Sequence, residues 1–455
     1  MTGVPEIDLT DVAVIRDPFG TYGAAREQAP VARLLIPGMA PMWVVTRHAE
    51  AREMLGDPRF EINAGSFMRP DVPDDCLPYM STMSEMNGQE HARLRRLVAP
   101  AFTPRRANDF RPRIQARVDH LLDTLQATAG EAPRYVTAEE ALPGTGTRES
   151  SAQDARADTQ PAPRQQAGAP QVGSPQAESA REGSPRVESP GVEVVDLLTG
   201  FARALPMDVI CELVGIPDED RPRWREYGAT VAMGMGEAFA KAIPRVMEGA
   251  KAAVARRREE PGDDLVTDLV QAVDDGDRLS ETELVTMIWQ LVLSGQTPTN
   301  LIANSIATLL THPDQLQALR ADPAKMPMAV EELIRWCGPT LLSIPRYARE
   351  DLDLYGVQVR KGEAVCVSVA AANRDPRAFP DPDRFDIANG RQNHLGFSFG
   401  PHFCVGASVA RVETEVALTS LLRSFPDLAL AAEVDEIRAP DPGTWRLTSL
   451  PVTLR

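Results

Sequence analysis

The segment that most constrains the fold of this chain is a glycine-punctuated loop, HLGFSFGPHFCVGASVAR at residues 394–411, which runs into a helix. Its cysteine, Cys404, stands where that helix begins, and there the free backbone N–H groups and the positive end of the helix dipole favour a thiolate over a thiol. Such a thiolate is a good metal ligand. Gly400 lets the backbone turn sharply, Gly406 lets the helix approach a flat ligand closely, and Phe397 can cover the sulfur and exclude water.

Taken alone, Cys404 would read as a buried free cysteine, which is the commoner fate of a lone cysteine. The complete spacing F-x-x-G-x-H-x-C-x-G, from Phe397 to Gly406, resembles the haem-ligand signature of the cytochrome P-450 superfamily, soluble bacterial type. The resemblance implies that Cys404 is the axial ligand of the iron in haem b (iron protoporphyrin IX), and that His402 contacts a haem propionate. It also implies a mainly α fold with small β-sheets, a triangular helical prism with haem between the long central helix and the Cys404 loop.

Two further segments match motifs of the same family. His91 and Arg95 resemble the family's H-x-x-x-R element, which binds haem propionates; they share a helix face and can both reach one anionic edge. Arg346, in the sequence IPRYA, matches the position of a further propionate-binding arginine of the family. Without the family resemblance, a basic solvated helix would be the default for the first pair.

Glu332 and Arg335 resemble the family's E-x-x-R element, which implies an ion pair joined by a third residue, here Arg384 in the sequence PDRFD. An ordinary surface salt bridge between residues i and i+3 is the alternative for the first two residues. The pair is expected to stabilise the fold beside the Cys404 loop.

The segment SGQTPTN at residues 294–300 departs from the family pattern. Members of the family usually have A/G-G-x-D/E-T here, and aligned on Gly295 the acid position holds Thr297 and the alcohol position holds Pro298. The usual pair organises water that delivers protons during cleavage of dioxygen. We expect Thr297 or Thr299, with Gln296 and ordered water or a substrate hydroxyl, to replace it; the alternative is that these residues only cap a helix broken by the proline.

The segment 143–190 contains no Leu, Ile, Met, Phe, Tyr or Trp, so it cannot bury enough apolar surface to offset its ordering entropy. We predict that it is a disordered, Pro/Ser/Gly-rich surface insertion within a single domain formed by residues 1–142 and 191–455. A docking or phosphorylation tail is the functional alternative.

Apolar periodicity predicts that helices dominate the middle of the chain. The predicted helices are Asn108–Ala127, Val194–Val214, Asp218–Glu259, Leu265–Val273 and Glu281–Leu310, the last one kinked or opened by Pro298. Short apolar runs bounded by turn residues predict strands at Met42–Thr46, Leu352–Val359 and Ala364–Val369.

Charge and cysteine usage narrow the class of protein. A formal charge of −17 excludes a nucleic-acid binder, because phosphate binding needs a positive surface. Five widely spaced cysteines without a CxxC pair suit a reducing cytoplasm, and the first twenty residues contain neither a signal peptide nor a membrane anchor. We therefore expect a cytoplasmic protein with no membrane partner.

The resemblance implies a monomeric monooxygenase that uses O2 to hydroxylate or epoxidise a small organic substrate, as actinobacterial members that tailor secondary metabolites do. Electrons would come from NAD(P)H through ferredoxin reductase and ferredoxin, since no flavin or iron–sulfur segment is present. The altered Thr297-Pro298 pair leaves two alternatives open: coupling, desaturation or peroxide-driven chemistry, and a haem-binding recruitment module without oxygenase activity.

Substrate contacts are expected from Ala64–Asn87, whose methionines suit a bulky ligand or simple packing, and from Gln290–Thr297, Leu341–Ile344 and Gly443–Arg446.

Overall fold

The computed structural model describes residues 3–67, 71–128, 194–232, 237–274, 279–388 and 393–454. The chain divides into two units, and every described residue belongs to the first, Met1–Pro133 with Glu193–Arg455. The predicted insertion at 143–190 lies outside the described residues and stays a prediction.

Helices account for most of the described structure. In chain order they are α1 (Val12–Arg16), α2 (Pro18–Gln28), α3 (His48–Gly56), α4 (Gly88–Val98), α5 (Pro104–Asp109), α6 (Arg111–Thr128), α7 (Ala204–Val214), α8 (Arg221–Ala232), α9 (Glu237–Glu259), α10 (Leu265–Asp274), α11 (Glu281–Ser294), α12 (Pro298–Thr311), α13 (Pro313–Ala321), α14 (Met326–Cys337), α15 (Val369–Ala372) and α16 (Ala407–Ser424).

The strands are short and form three small sheets. They are β1 (Glu6–Asp8), β2 (Val31–Leu35), β3 (Met42–Val45), β4 (Phe60–Glu61), β5 (Val194–Asp196), β6 (Arg346–Ala348), β7 (Leu352–Leu354), β8 (Val357–Val359), β9 (Ala364–Val367), β10 (Ala429–Leu430) and β11 (Pro451–Thr453). The largest sheet has the order β1-β2-β3-β9-β6-β4, with β3 parallel to β9 and β6 antiparallel to it. The prediction of a mainly α fold with small β-sheets is confirmed.

The region predicted as one helix, Val194–Val214, consists of three elements. β5 pairs with β11, where Val195 lies opposite Val452, so a partner more than 250 residues away takes the first residues into a sheet. A π-helical turn, Leu198–Ala202, follows, and α7 begins after it. Pro206 has no N–H with which to donate to the carbonyl of Ala202, so a regular helix cannot run through this point.

The predicted helix Glu281–Leu310 is divided into α11 and α12, as the proline indicated. Between them the chain tightens into i to i+3 hydrogen bonds, with Thr297 N–H donating to Ser294 O at 3.2 Å and Asn300 N–H to Thr297 O at 3.3 Å. Pro298 cannot donate to Ser294 O, and the tightened turn gives that carbonyl another donor.

The main hydrophobic core surrounds α11, in which every residue from Leu284 to Leu293 is buried. A helix that is apolar on all sides belongs in the centre of a large protein. α12, α14 and α16 contribute to the same core, so the start of α12 and the segment that leads into α16 are held on a rigid support. In the described part of the chain, no helix is long and apolar enough to cross a membrane.

Candidate functional site

A cavity of about 370 Å³ is lined by the α11/α12 junction and by the loop that carries Cys404. Most of its wall is apolar, with contributions from α7 and from the irregular segment before β6. The lining residues are Leu55, Ile62, Phe102, Pro206, Val209, Ile210, Leu291, Ser294, Gly295, Thr297, Pro298, Leu301, Ile334, Pro339, Thr340, Leu342, Ser343, Ile344, Arg346, Val369, Leu395, Gly396, Phe397, Ser398, His402, Cys404, Val405, Gly406, Val409, Ala410 and Glu413.

The Cys404 loop is held in shape by its own backbone. Cys404 N–H donates to Phe397 O at 2.9 Å, which closes the loop. Gly400 has a φ of +76°, and a Cβ added there would lie 2.7 Å from the carbonyl oxygen of Leu55 in α3, so only glycine fits this turn. At Gly406 an added Cβ would meet only the Cys404 Sγ, at 4.0 Å, because the residue borders the cavity.

Cys404 is accessible from the cavity, while the surrounding protein shields its thiol from bulk water. Burial raises the pKa of this thiol, while the N–H groups of Gly406 and Ala407 and the charges of Arg95 and Arg411 lower it without outweighing burial. The helix-start effect expected from the sequence is therefore present but smaller than desolvation. A metal cation bound directly by Cys404 would remove the remaining proton affinity, since a coordinating thiol is deprotonated outright.

Four basic side chains cluster together: Arg346 from β6 and His402 line the cavity, and His91 and Arg95 from α4 lie beside them without lining it. The rings of His91 and His402 have centroids 4.3 Å apart. In the part of the chain that the structure describes, Arg95 and Arg346 donate to backbone carbonyl oxygens and to no carboxylate.

Burial, with no counter-ion among the described residues to oppose it, lowers the pKa of Arg346 to about 10. Burial and the nearby positive charges of His91, Arg346 and Arg95 lower the pKa of His402 to about 3. The positive charges of this cluster lack an anion to neutralise them. The two propionates of haem would neutralise them, with Cys404 as the ligand of the iron. The donor set therefore fits haem.

Glu332 and Arg335 form a fully buried, bidentate ion pair in α14, with Nη2–Oε1 and Nε–Oε2 distances of 2.7 and 2.8 Å. The role expected of Arg384 needs correction. Its guanidinium is 67% exposed and lies 3.7 Å from Asp386, and only its backbone carbonyl accepts from Arg335, at 3.2 Å. Both carboxylate oxygens of Glu332 are already occupied by Arg335, and Asp386 N–H adds a third bond, so no second guanidinium is needed.

Of the three residues proposed as a proton relay, Thr297 lines the cavity, whereas Gln296 and Thr299 do not. The Thr297 hydroxyl donates to Ser294 O at 2.9 Å, so it caps the carbonyl that Pro298 leaves without its helical donor. The Thr299 hydroxyl is buried and has no partner among the described residues. Gln296 lies close to Gly228 in α8, where a Cβ would come within 2.9 Å of its Oε1.

Glu413 in α16 lines the cavity and was not identified from the sequence. It is 2% exposed, and its Oε1 has no hydrogen-bond partner among the described residues. Burial, and to a lesser degree Asp208, raises the pKa of this carboxyl well above its usual range. The available signal was an acidic residue nine positions after Cys404, in the middle of an apolar helix face.

The segments expected to contact substrate are only partly at the cavity. Leu342, Ser343 and Ile344 line it, whereas no described residue of 64–87 or 443–446 does. Met80 and Met83 are buried in the main core, so packing is the better interpretation of these two.

Gln290 accepts from Met83 N–H at 3.1 Å and donates to Ser84 Oγ at 2.6 Å, which fastens this loop to α11. Pro206, Val209 and Ile210 of α7 line the cavity and were not predicted to do so from the sequence. Of the three, only Val209 belongs to the apolar helix face that the sequence pattern indicated.

Comparisons with known proteins agree with this site. Residues 230–436 match the family model of cytochrome P-450. Mycinamicin IV hydroxylase/epoxidase of Micromonospora griseorubida is 35% identical over 425 residues, which cover 92% of this chain and 91% of that protein. 6-Deoxyerythronolide B hydroxylase of Saccharopolyspora erythraea is 32% identical over 467 residues, which cover 99% of this chain and 97% of that protein. Among solved structures, a mutant of the mixed-function P-450 MycG in complex with mycinamicin IV has a TM-score of 0.76 and 32% identity, covering 99% of this chain and 100% of that chain.

Proposed function

Since this chain belongs to the cytochrome P-450 family, we propose that it hydroxylates or epoxidises a bulky, mainly apolar secondary metabolite. The chain is a haem-binding monooxygenase, and the haem, when bound, supplies the iron at which dioxygen is activated. The observation that carries the proposal is the mainly apolar cavity of about 370 Å³, in which haem would take the side next to Cys404 and the substrate the side lined by α7 and by the segment before β6.

The lining of this cavity supports a large apolar substrate. α7 contributes Val209 and Ile210, and the segment before β6 contributes Leu342 and Ile344, while few polar side chains converge on the space. Apolar walls with a small number of polar groups are typical of sites that select shape and orientation. Both relatives named above are hydroxylases of the compounds in their names, mycinamicin IV and 6-deoxyerythronolide B, which supports substrates of that size class here.

The residues that would hold the haem act at two places. Cys404 would bind the iron, and Phe397 and Gly406 border the space next to the sulfur. Arg346, His91 and Arg95, with His402, would bind the propionates and orient the ring.

Proton supply to the cavity would depend on Thr297 and Glu413 in place of the usual acid–alcohol pair. Burial raises the pKa of the Glu413 carboxyl well above its usual range, so this group keeps its proton to higher pH than an exposed carboxyl and would donate it, and its Oε1 has no hydrogen-bond partner among the described residues and would bind water. The Thr297 hydroxyl gives its hydrogen to Ser294 O and can accept from a water molecule. Together the two residues would position water and supply a proton that threonine alone cannot.

A ferredoxin would deliver the electrons at the face that carries the Cys404 loop. Phe403 is 38% exposed there, and the guanidinium of Arg52 lies 4.3 Å from the centre of the Phe399 ring. An apolar residue beside basic ones complements the acidic surface of a small electron-transfer partner. All five cysteines are unpaired, which supports a reducing compartment such as the cytoplasm.

Oxidative coupling or desaturation remains a second candidate because of the Thr297-Pro298 pair. The Thr297 hydroxyl already donates its hydrogen to Ser294 O, so it cannot also donate to water as the alcohol of the usual pair can. The distinction lies in the product, since coupling and desaturation add no oxygen atom to it.

The test is reconstitution of the haem-loaded protein with a ferredoxin, its reductase and NADPH, followed by mass spectrometry of a panel of macrolides and their aglycones under ¹⁸O2. We expect a product heavier by one ¹⁸O atom. Products without ¹⁸O would replace monooxygenation with coupling or desaturation. Steady NADPH oxidation with no product across the panel would overturn the proposed substrate class and favour a recruitment module.

A further inference from the structure

A second cavity, of about 240 Å³, lies outside the substrate cavity and shares no lining residue with it. It is formed by the second half of α12, the end of α14 and the C-terminal segment. Its lining includes the aromatic rings of Phe19, Trp336, Trp445 and His312 and the polar side chains of Asn304, Thr308, Thr311 and Arg374.

Arg374 brings a buried positive charge to this cavity. Its guanidinium lies between the rings of Phe19 and Trp336, 4.0 and 3.9 Å from their centroids, so both of its faces are covered. One edge donates to Trp336 O at 3.2 Å, while Asp383 lies 3.7 Å away and is 73% exposed, so it neutralises the charge weakly. Nε has no hydrogen-bond acceptor among the described residues.

Asn304 contributes a carbonyl oxygen, Oδ1, to which no described group donates a hydrogen bond. It is 2% exposed, and its Nδ2 donates to Cys337 O at 3.0 Å and to Trp445 O at 2.8 Å, which fixes the orientation of the amide. Its Oδ1 accepts no hydrogen bond within the described ranges. A buried oxygen of this kind costs free energy unless something donates to it.

We propose that this second cavity binds a small aromatic acid, whose carboxylate pairs with the Arg374 guanidinium and whose N–H or O–H donates to Asn304 Oδ1 after a small shift of the side chains that cover both groups. The aromatic rings supply flat apolar surface for the body of the ligand. Burial lowers the pKa of Arg374 to about 10, which agrees with a cation that lacks a full counter-ion.

The ligand would act on the substrate cavity through the wall between the two spaces. Trp445 N–H donates to Pro339 O at 2.7 Å, and Leu341 N–H donates to Gly443 O at 3.1 Å. Trp445 lines the second cavity, whereas Pro339 and Leu342 line the first. A ligand that moves the Trp445 ring therefore displaces a segment that contacts substrate.

The direct test is calorimetric titration of indole-3-acetate into the haem-loaded protein while 4-phenylimidazole saturates the substrate cavity. We expect one site with sub-millimolar affinity. Ala307→Phe fills the second cavity from α12, and Thr311→Trp fills it from the exposed rim, so each should weaken binding at least tenfold. Ala127→Phe, at an exposed position of α6, is the matched control and should leave the affinity unchanged.

The coupling is tested in the same samples by the haem absorption shift of 4-phenylimidazole. Increasing indole-3-acetate should change the affinity for 4-phenylimidazole at least threefold and then reach a plateau. Saturating 4-phenylimidazole should change the affinity for indole-3-acetate by the same factor. No heat with the substrate cavity blocked, or binding that persists unchanged in both filling variants, would overturn the site. An unchanged 4-phenylimidazole affinity at saturation would overturn the coupling, and a shift without a plateau would mean competition in the substrate cavity instead.

Discussion

The Glu332–Arg335 pair is the most completely buried pair of charges in the described structure, and its stability depends on both partners. We predict that Glu332→Leu lowers the free energy of unfolding by about 3–5 kcal/mol, because it leaves Arg335 buried without a counter-ion. Urea denaturation followed by far-UV circular dichroism measures this loss. The matched control is Glu6→Leu, since Glu6 lies 3.6 Å from Arg33 with both side chains about half exposed, and the change there should stay within about 0.5 kcal/mol. Equal losses in the two variants would contradict the argument.

Glu331, the neighbouring residue, makes stability depend on pH. Burial would raise its pKa, but hydrogen bonds from His394 and Arg411 outweigh burial and lower the pKa to about 2. Because the folded pKa lies below the unfolded value of 4.5, this carboxylate stabilises the protein fully above about pH 4.5, and that stabilisation is lost as pH falls toward 2.

We therefore predict that the stability difference between the wild type and Glu331→Gln is constant from pH 8 to pH 5 and shrinks below pH 4.5. Urea midpoints measured at several pH values follow it. Asp11→Asn, at an exposed helix cap, is the control whose difference should be small throughout. A difference that grows on acidification would be the wrong sign.

Glu413 and Thr297 lead to a prediction about catalysis. Glu413→Gln keeps the size of the side chain but removes its acidic proton, and Thr297→Val removes the hydroxyl that can bind water. Each change should lower product formed per NADPH severalfold and raise hydrogen peroxide release, with little change in substrate affinity. Thr299→Ser, which keeps a hydroxyl away from the cavity wall, is the control. Unchanged coupling in both test variants would reject the proposed proton supply.

For single residues, the sequence predicted a role correctly where that role follows from a local spacing. It did not predict roles that depend on groups distant in the chain. The spacing around Cys404 indicated the ligand because all of its residues lie in one loop. The orientation of Arg384 could not be inferred, since it depends on how Asp386 N–H and Arg335 already occupy Glu332. Glu413 was missed because its role comes from where α16 passes the cavity.

At the scale of elements, the turn between α11 and α12 depends on one missing amide. We predict that Pro298→Ala restores a donor for Ser294 O, so that the new amide becomes protected from hydrogen exchange and the two helices join. Hydrogen exchange measured by mass spectrometry over 290–302 detects this protection. Pro313→Ala in α13 is the control, because the first residue of a helix has no intrahelical acceptor and its new amide should exchange freely. Equal exchange at both positions would show that the turn does not depend on the proline.

The same comparison of local and distant causes applies to whole elements. The break at Pro298 could be predicted because proline acts on its own helix. β5 could not, since Val194–Asp196 is helical by its local pattern and becomes a strand by pairing with β11 at the other end of the chain. Val194 and Val195 are β-branched and favour a strand, so their pairing with β11 agrees with their own preference and overrides only the helical spacing of the apolar residues that follow.

At the scale of the whole molecule, the question is whether the fold and the haem site depend on the segment 143–190. We predict that replacing it with a short Gly/Ser linker leaves the thermal midpoint within about 2 °C and the haem absorption spectrum unchanged, because its composition cannot contribute a core. A replacement that keeps the length but scrambles the order is the matched control. A lower midpoint would show that the segment packs on the fold. An unchanged midpoint with lost turnover by ferredoxin would indicate a docking tail.

One part of the cavity wall, the face of α7, stands on a chain segment separate from those that would hold the haem. Pro206, Val209 and Ile210 of α7 line the cavity, while Cys404, His402 and Arg346 stand on other segments. Substitutions on this face of α7 can change which molecule fits without altering the ligand to iron. New substrate preferences can thus accumulate one side chain at a time while the cofactor stays in place, so the α7 face is the natural place to begin a mutant library.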